Sequence, residues 1–564
     1  MITVVKRKRK ARTEEQKLTK QIRKNLPTSI IEVELNTTSY QRKLINQSME
    51  HARIIRNTLM GSVYKRYQQM IRTKKYKKTY KNYINNLKKL NKTEDKKIIT
   101  SLKKEKKQLQ LQLEMLREQF GVTFDHVRKE AEVLQKRFSK ANAIIGLKMV
   151  ERVWLSMERI LFGNAETPRF IGKEYFRSIE GKQNERCIML KLDENQQFYV
   201  SFEGESMPLI IKSGDLFIQE TLLHVTDYMQ QPDEIDKKNV KLYQQGKNFL
   251  STYRVKYNRI IRKNLRGRQR FFVQIVLEGN PIPKRKKDGS FRHSYGKGRI
   301  GGDIGTQSVA FTTTTSVLLK NLAERTKKSR ERKMIWLQRK MVRSRRAMNP
   351  DCFDEKGRAI KKMHTKSNRY MRYQQQLKNL HRIMAENRKY AHNEDINHLR
   401  SLGDEVFIET MNIKALQKKA KETTKNKKTG KYNRKKRYGK SILNRSPGYF
   451  IQQLKYRFEL SGATFNEVNT WTFKASQYDH MLDDTNKKQL SQRWHLFENG
   501  TKIQRDLYSS FLLYCSNDEK TKPDKKLCDQ YFDIFKHAHD SCIKWIQTNQ
   551  EVVKNSGIKF VKSR

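Results

Sequence analysis

The 564-residue chain is predicted to be a multidomain α+β protein: a helical region, then a small β-barrel or sandwich, then an α/β domain interrupted by helical insertions. Three observations give this class. The length exceeds what one hydrophobic core organises. Apolar residues keep helical spacing up to about residue 164 and change to the two-residue period of strands after Pro168. Beyond the Pro- and Gly-marked stretch Pro281–Gly289, short strand-like runs alternate with long helical ones.

Charge narrows the partners. Lys and Arg number 122 against 58 Asp and Glu, a formal net charge of +64. A folded body with that excess repels itself unless a polyanion neutralises it, and nucleic acid is the leading candidate. A membrane role is not expected: the sequence holds no apolar run of about 18 residues, and the basic start Met1–Arg12 has no hydrophobic region behind it. The 36% hydrophobic content suffices for packed cores, which excludes a disordered basic tail. Cys187, Cys352, Cys515, Cys528 and Cys542 contain no C-x-x-C pair, so neither a disulfide framework nor a zinc ribbon is expected, and a reducing interior is the default compartment.

Taken in order, residues 1–28 read as a basic arm, with Lys6–Lys10 suited to touching phosphate. Ile30–Leu35 alternates like an edge strand, and Tyr40–Tyr67 has helical period, with Ile45, Met49, Ala52, Ile55 and Leu59 on one face. Residues 70–141 read as a lysine-rich antiparallel helical hairpin. Its Lys74, Lys75, Lys77 and Lys78 would follow a phosphate backbone, with Tyr76 available for stacking. An amphipathic helix pair follows over 122–164, with Ile145, Val150, Val153, Leu155 and Ile160 among its expected core residues. Short strands are expected at 187–192, 198–202, 209–212 and 271–277, with a helical insertion near 215–250. Residues 299–311 read as a strand carrying one acid, Asp303, whose neighbouring glycines would let a metal and a phosphodiester approach the backbone. Residues 318–402 are expected to be helical. Their Arg330, Arg332, Arg339, Arg343, Arg345 and Arg346 are suited to bidentate grip on phosphate, and His381, His392 and His398 are expected at the surface. Glu405–Asn412 is a buried-looking strand ending at Glu409, 417–440 a basic loop, Pro447–Leu460 an amphipathic helix and Ala463–Val468 a strand. Asp506 opens an apolar helix, with Arg505 beside it as a further phosphate contact.

Asp303, Glu409 and Asp506 stand about a hundred residues apart. Taken singly they are a turn, a strand end and a helix cap. Brought together they are an oxygen-rich cluster that calls for divalent metal. Two Mg²⁺ ions about 4 Å apart would activate water and stabilise the leaving oxygen of a phosphodiester.

The ordered set Gly302-Asp303-Ile304-Gly305, Ile408-Glu409-Thr410-Met411-Asn412 and Gln504-Arg505-Asp506-Leu507-Tyr508-Ser509 resembles the three RuvC motifs of the transposon-encoded TnpB family and the related type V CRISPR effectors. His51–Asn57, Arg343–Pro350, Lys440–Gly448 and Leu490–His495 are similar to further segments of that family, so the resemblance covers most of residues 30–515. It implies an RNA-guided DNA endonuclease with a RuvC (RNase H-like) α/β domain, binding a guide RNA and target double-stranded DNA and cutting with Mg²⁺ (two ions, or Mn²⁺) at Asp303, Glu409 and Asp506. On that pattern, residues 1–45 are a basic arm and first wedge strand, 46–165 a helical recognition domain, and 166–290 a β-barrel wedge domain with a helical insertion. Residues 291–470 hold motifs I and II with the arginine-rich insertion, 471–500 a degenerate zinc-ribbon or target-loading region, and 501–564 motif III and a C-terminal tail. The loop 417–440 would gate the active site, and a prokaryotic cytoplasmic, nucleoid-associated location is implied. The departure is at 471–500: where the family carries two cysteine pairs, this chain has Ser476–His480 and His495–Gly500 with no cysteine, so no structural zinc is expected. A non-cutting RNA-guided repressor and a DNA transposase stay open as alternatives, as does the oligomeric state.

Overall fold

The structure is a computed structural model that describes residues 14, 18, 22–23, 26–91, 93, 95–138, 142–245, 254–279, 281–323, 328–355, 357–360, 364–418, 422–425, 430, 432, 438–489 and 491–560. The Lys6–Lys10 cluster, most of the 417–440 loop and Leu490 lie outside them. The chain divides into two units, Met1–Ile282 and Pro283–Arg564.

In the first unit, strand β1 (Thr28–Leu35) leads into helix α1 (Ser39–Arg72). Thr38 and Gln41 start that helix with a reciprocal capping box, each side chain bonded to the other's backbone N–H. Ile45, Met49, Ala52, Ile55, Leu59 and Val63 then recur every three or four residues and are all buried. The lysine-rich hairpin is α2 (Lys74–Leu90) packed on α3 (Lys96–Gln119), with Leu102, Leu109, Leu113 and Leu116 buried. Helices α4 (Phe124–Lys136) and α5 (Ala143–Leu161) pack on α1. Leu155 departs from its expected place in the core and is 58% exposed, because α5 turns Ile145, Met149, Val153, Met157 and Ile160 inward and Leu155 falls on the other side.

Strands β2 (Ser178–Glu180), β3 (Ile188–Leu192), β4 (Phe198–Phe202) and β5 (Glu205–Ile210) precede helices α6 (Leu216–Gln230) and α7 (Pro232–Gln244). The long pair β6 (Arg254–Leu265) and β7 (Arg268–Glu278) closes the unit. Together with β1 these strands form a seven-stranded sheet in the order β2-β6-β7-β1-β5-β4-β3, with β2 and β3 at the ends.

The second unit is built on a five-stranded sheet in the order β10-β9-β8-β11-β12. The expected single strand at 299–311 is a hairpin: β8 (Arg299–Ile304) turns at Gly305, whose N–H bonds the Ser308 carbonyl, and returns as β9 (Ser308–Thr312). A third strand, β10 (Val317–Asn321), follows where helix was expected, since the Thr313–Ser316 turn returns the chain antiparallel to β9. Helices α8 (Lys328–Met348) and α9 (Asn368–Leu402) then pack together around Leu337, Leu380 and Met384. His392 is fully buried against Phe450 and not at the surface: it falls on the same helical stripe as Ile396 and Leu399.

β11 (Glu405–Glu409) lies parallel to both β8 and β12 (Thr464–Val468). A central parallel strand is covered on both faces, which is why Val406, Phe407 and Ile408 run as an unbroken apolar stretch. Val406 and Ile408 pack with α9 and α10 (Pro447–Leu460); Phe407 packs on the opposite face. Two short hairpins follow, β13 (Tyr478–Asp479) with β14 (Asp484–Thr485) and β15 (Trp494–Leu496) with β16 (Lys502–Gln504). The Phe407 face is covered by α11 (Arg505–Tyr514) and α12 (Lys525–Thr548), the latter burying Cys528, Phe532, Phe535, His539 and Ile546. No helix is long and apolar enough to cross a membrane, among the described residues.

Candidate active site

Strand geometry aims two of the three acids at one place. Side chains alternate across a sheet, so Asp303 shares a face with Gly301, and Glu409 with Phe407. Gly301 pairs with Phe407 and Gly302 with Ile408, which puts Asp303 and Glu409 one residue further along neighbouring parallel strands. Both therefore leave the carboxyl ends of adjacent strands on the face that α11 covers, the position where open α/β sheets gather ligands.

The glycines explain how α11 gets there. A Cβ on Gly301 would lie 2.0 Å from the Ser510 carbonyl oxygen and 2.3 Å from the Tyr514 nitrogen, so the helix backbone rests directly on β8. A Cβ on Gly302 would lie 2.6 Å from the Phe311 ring. These glycines make room for packing, not for a metal and a phosphodiester as the sequence suggested. Asp506, in the first turn of α11, is carried to the same end of the sheet.

All three carboxylates are half-buried. Asp303 is held well above the usual carboxylate range by burial, then by the Asp506 and Glu409 charges, with Arg505 acting in the opposite sense. Glu409 is also raised by burial, partly offset by the Ala475 N–H that donates to its Oε1 at 3.1 Å. Arg505 Nε stands 3.7 Å from Asp506 Oδ1, and its Nη1 donates to the Gln492 carbonyl. Thus the acids share one electrostatic environment with one cation beside it. Among the described residues, no three His, Cys, Asp or Glu side chains are grouped tightly enough to be a preformed metal cage. The donor set still fits a hard divalent cation, since carboxylate oxygens suit Mg²⁺ and Mn²⁺ and the mutual repulsion at Asp303 is what such an ion would relieve.

The cationic candidates lie elsewhere on their units. Lys74, Lys75, Lys77 and Lys78 are exposed along α2, whereas Tyr76 stacks on Tyr80 at 5.6 Å and packs against the core of the first unit. Burial pushes the Tyr76 hydroxyl up to about 12, and its ring is a packing element more than a free platform. Arg332, Arg339, Arg343 and Arg346 are exposed on α8; Arg330 and Arg345 are half-buried, and Arg345 lies over Phe353 at 5.5 Å. A cavity of about 690 Å³ in the first unit was not anticipated. Arg42, Lys43, Lys173 and Arg262 line it with Asn46 and Gln269, residues that converge from distant segments and so left no local signal.

No family model matches the chain, and no curated protein matches it. Among solved structures, the chain is similar to a Cas12f1 in a cryo-EM complex with sgRNA and target DNA, at 10% identity and TM-score 0.41, covering 88% of this chain and 99% of that one. It is also similar to a chain in a cryo-EM CRISPR-Cas12f ternary complex, at 11% identity and TM-score 0.23, covering 87% and 86%. Similarity at this level carries no functional weight.

Proposed function

We propose that this chain is an RNA-guided DNA endonuclease that hydrolyses target phosphodiester bonds at a RuvC-like site formed by Asp303, Glu409 and Asp506. The observation that carries the reading is the convergence of these acids: two at the ends of adjacent parallel strands, the third on the helix laid over them, with Asp303 feeling the charge of both others. Asp303, Glu409 and Asp506 would hold two divalent ions, Mg²⁺ or Mn²⁺, which when bound supply an activated water and stabilise the leaving oxygen.

The chain's own residues do the rest. β8 holds Asp303 with little freedom, being hydrogen-bonded on both sides by β9 and β11. The Ala475 N–H orients Glu409. Arg505 offers a guanidinium next to the acids, where a scissile phosphate would need a counter-charge. The guide RNA and target duplex are assigned to the exposed lysines of α2, the exposed arginines of α8 and the cationic cavity beside α1, consistent with a net charge of +64. The RNA guide itself rests on the sequence resemblance.

The test is guided cleavage. RNA that co-purifies with the protein is sequenced, and a duplex matching it is offered with Mg²⁺. Wild type is expected to cut it. Asp303→Ala is expected to retain the RNA and lose cleavage; cutting at the guided site by that variant refutes the assignment.

A further inference from the structure

Asp506 has to be held at one place above the strand ends, and the later turns of α11 are hydrogen-bonded to the sheet hairpin. Thr312 Oγ1 and Ser510 Oγ lie 2.7 Å apart, and the Tyr514 hydroxyl donates to Thr314 Oγ1 at 3.2 Å. The first turns, which carry Asp506, are gripped from the opposite side by three buried histidines.

Tyr508 comes first. Its hydroxyl oxygen accepts the His480 backbone N–H at 3.0 Å and lies 2.7 Å from His480 Nδ1. The hydroxyl thus meets two His480 nitrogens at once, one on the backbone and one on the ring, which fixes the tyrosine against that residue. The next residue back, Asp479, accepts the Met481 N–H with Oδ1 and His495 Nε2, 2.9 Å away, with Oδ2. His495 Nδ1 is thereby left to accept from the Lys488 ammonium, and the His495 ring stacks on Tyr508 with centroids 4.7 Å apart. The second grip is at the helix cap. The Gln504 N–H donates to His539 Nε2 at 3.0 Å, while the Gln504 side-chain oxygen accepts the Leu507 N–H at 2.8 Å. His539 Nδ1 then donates to Asp540 at 2.8 Å. Gln504, Tyr508 and the three histidines are each at most 2% exposed.

We propose that His480 with Tyr508, and His539 with Gln504, are positioning residues that fix the first turn of α11 so that the Asp506 carboxylate meets divalent metal together with Asp303 and Glu409. This rests on the reading of Asp506 as a metal ligand. The chemistry of the network supports a geometric role. Buried polar pairs contribute little net stability over apolar residues of similar volume, yet a satisfied network permits only one arrangement. Phenylalanine at 508 would fill the same space among Phe497, Phe511 and His480 without fixing the helix's rotation.

The experiment is a titration of the full-length protein with Mn²⁺, followed by electron paramagnetic resonance, with melting temperature measured on the same samples. Tyr508→Phe and His480→Leu are expected to raise the Mn²⁺ half-saturation concentration about tenfold, by letting the turn that carries Asp506 shift, the low end of what losing the support of a ligand costs. His480→Asn places an amide, able to accept or donate, where Nδ1 stood and is expected to recover most of that loss. Leu454→Val, in the core on the other side of the sheet, is expected to lower the melting temperature and leave Mn²⁺ binding unchanged. Wild-type Mn²⁺ binding by Tyr508→Phe and His480→Leu, alongside weakened binding by Asp506→Asn, overturns the positioning role and leaves the proposed site standing. Weakening by Leu454→Val equal to that by Tyr508→Phe also overturns it, since general softening then accounts for the effect. Unchanged binding by Asp506→Asn removes the metal reading, and the positioning role with it.

Discussion

Gly301→Ala is the most discriminating single substitution in the second unit. The added methyl would stand 2.0 Å from the Ser510 carbonyl oxygen and 2.3 Å from the Tyr514 nitrogen, where ordinary contact begins at 3.4 Å. The shortfall of about 1.4 Å falls on helix backbone, which cannot swing aside as a side chain could, so α11 must lift from β8. Overpacking of this kind costs about 3 kcal/mol, and more where backbone has to move. At about 2 °C per kcal/mol for a unit of this size, the melting temperature falls by roughly 6 °C or more. Lifting α11 also carries Asp506 away from Asp303, so guided cleavage falls further than the folded fraction does. Gly448→Ala is the control: its methyl meets the Ile413 side chain at 3.4 Å, an ordinary contact, in the first turn of α10. Thermal melting and cleavage of both variants check the reasoning. A Gly301→Ala protein that melts and cuts like wild type would refute the close seating of α11 on β8.

Three further outcomes are expected. Asp303→Asn removes a buried carboxyl that the Asp506 and Glu409 charges disfavour as an anion, so in EDTA it should melt higher than wild type by the equivalent of roughly 1–2 kcal/mol, while Mg²⁺ should stabilise wild type more than the variant; equal Mg²⁺ stabilisation of the two would contradict the shared site. Burial holds His392 (beside Arg388) and His495 (between Lys488 and Asp479) down to about 4, so the folded protein keeps both neutral while the unfolded chain binds protons from about pH 6.5. Stability should therefore be fully present above about pH 6.5 and fall as pH drops toward 4, by at most about 3 kcal/mol per histidine. Denaturant midpoints at pH 7.5 and 5 measure this, and His392→Leu should flatten the difference. Replacing Lys74, Lys75, Lys77 and Lys78 together by Ala should weaken binding of the co-purified RNA and lower the slope of log affinity against log salt by up to about 3, read by filter binding across a salt series; an unchanged slope would remove these lysines from the RNA surface.

Much of this arrangement was legible in the sequence because it is local. The helical stripe from Ile45 to Leu59, the apolar run before Glu409 and the helix opening at Asp506 each follow from spacing within one element. What was missed depends on partners far along the chain. β6 carries Arg, Lys and Asn among its apolar residues and becomes a strand by pairing with β7. The buried stripe of α12 is visible as core only once α11 lies against it. The role of Gly301 depends on Ser510, some two hundred residues later, and a glycine before an acid reads equally well as room for a ligand. His480, His495 and His539 leave no local signal, since their partners Tyr508, Asp479 and Gln504 are brought to them by the packing of separate hairpins and helices.

The most direct measurement is anomalous diffraction from crystals of the protein soaked in Mn²⁺. Density for manganese bounded by the carboxylates of Asp303, Glu409 and Asp506 together is the expected result. Crystals that take up manganese elsewhere, or at one of these acids without the other two, would contradict the claim that distant parts of the chain build a single hydrolytic site.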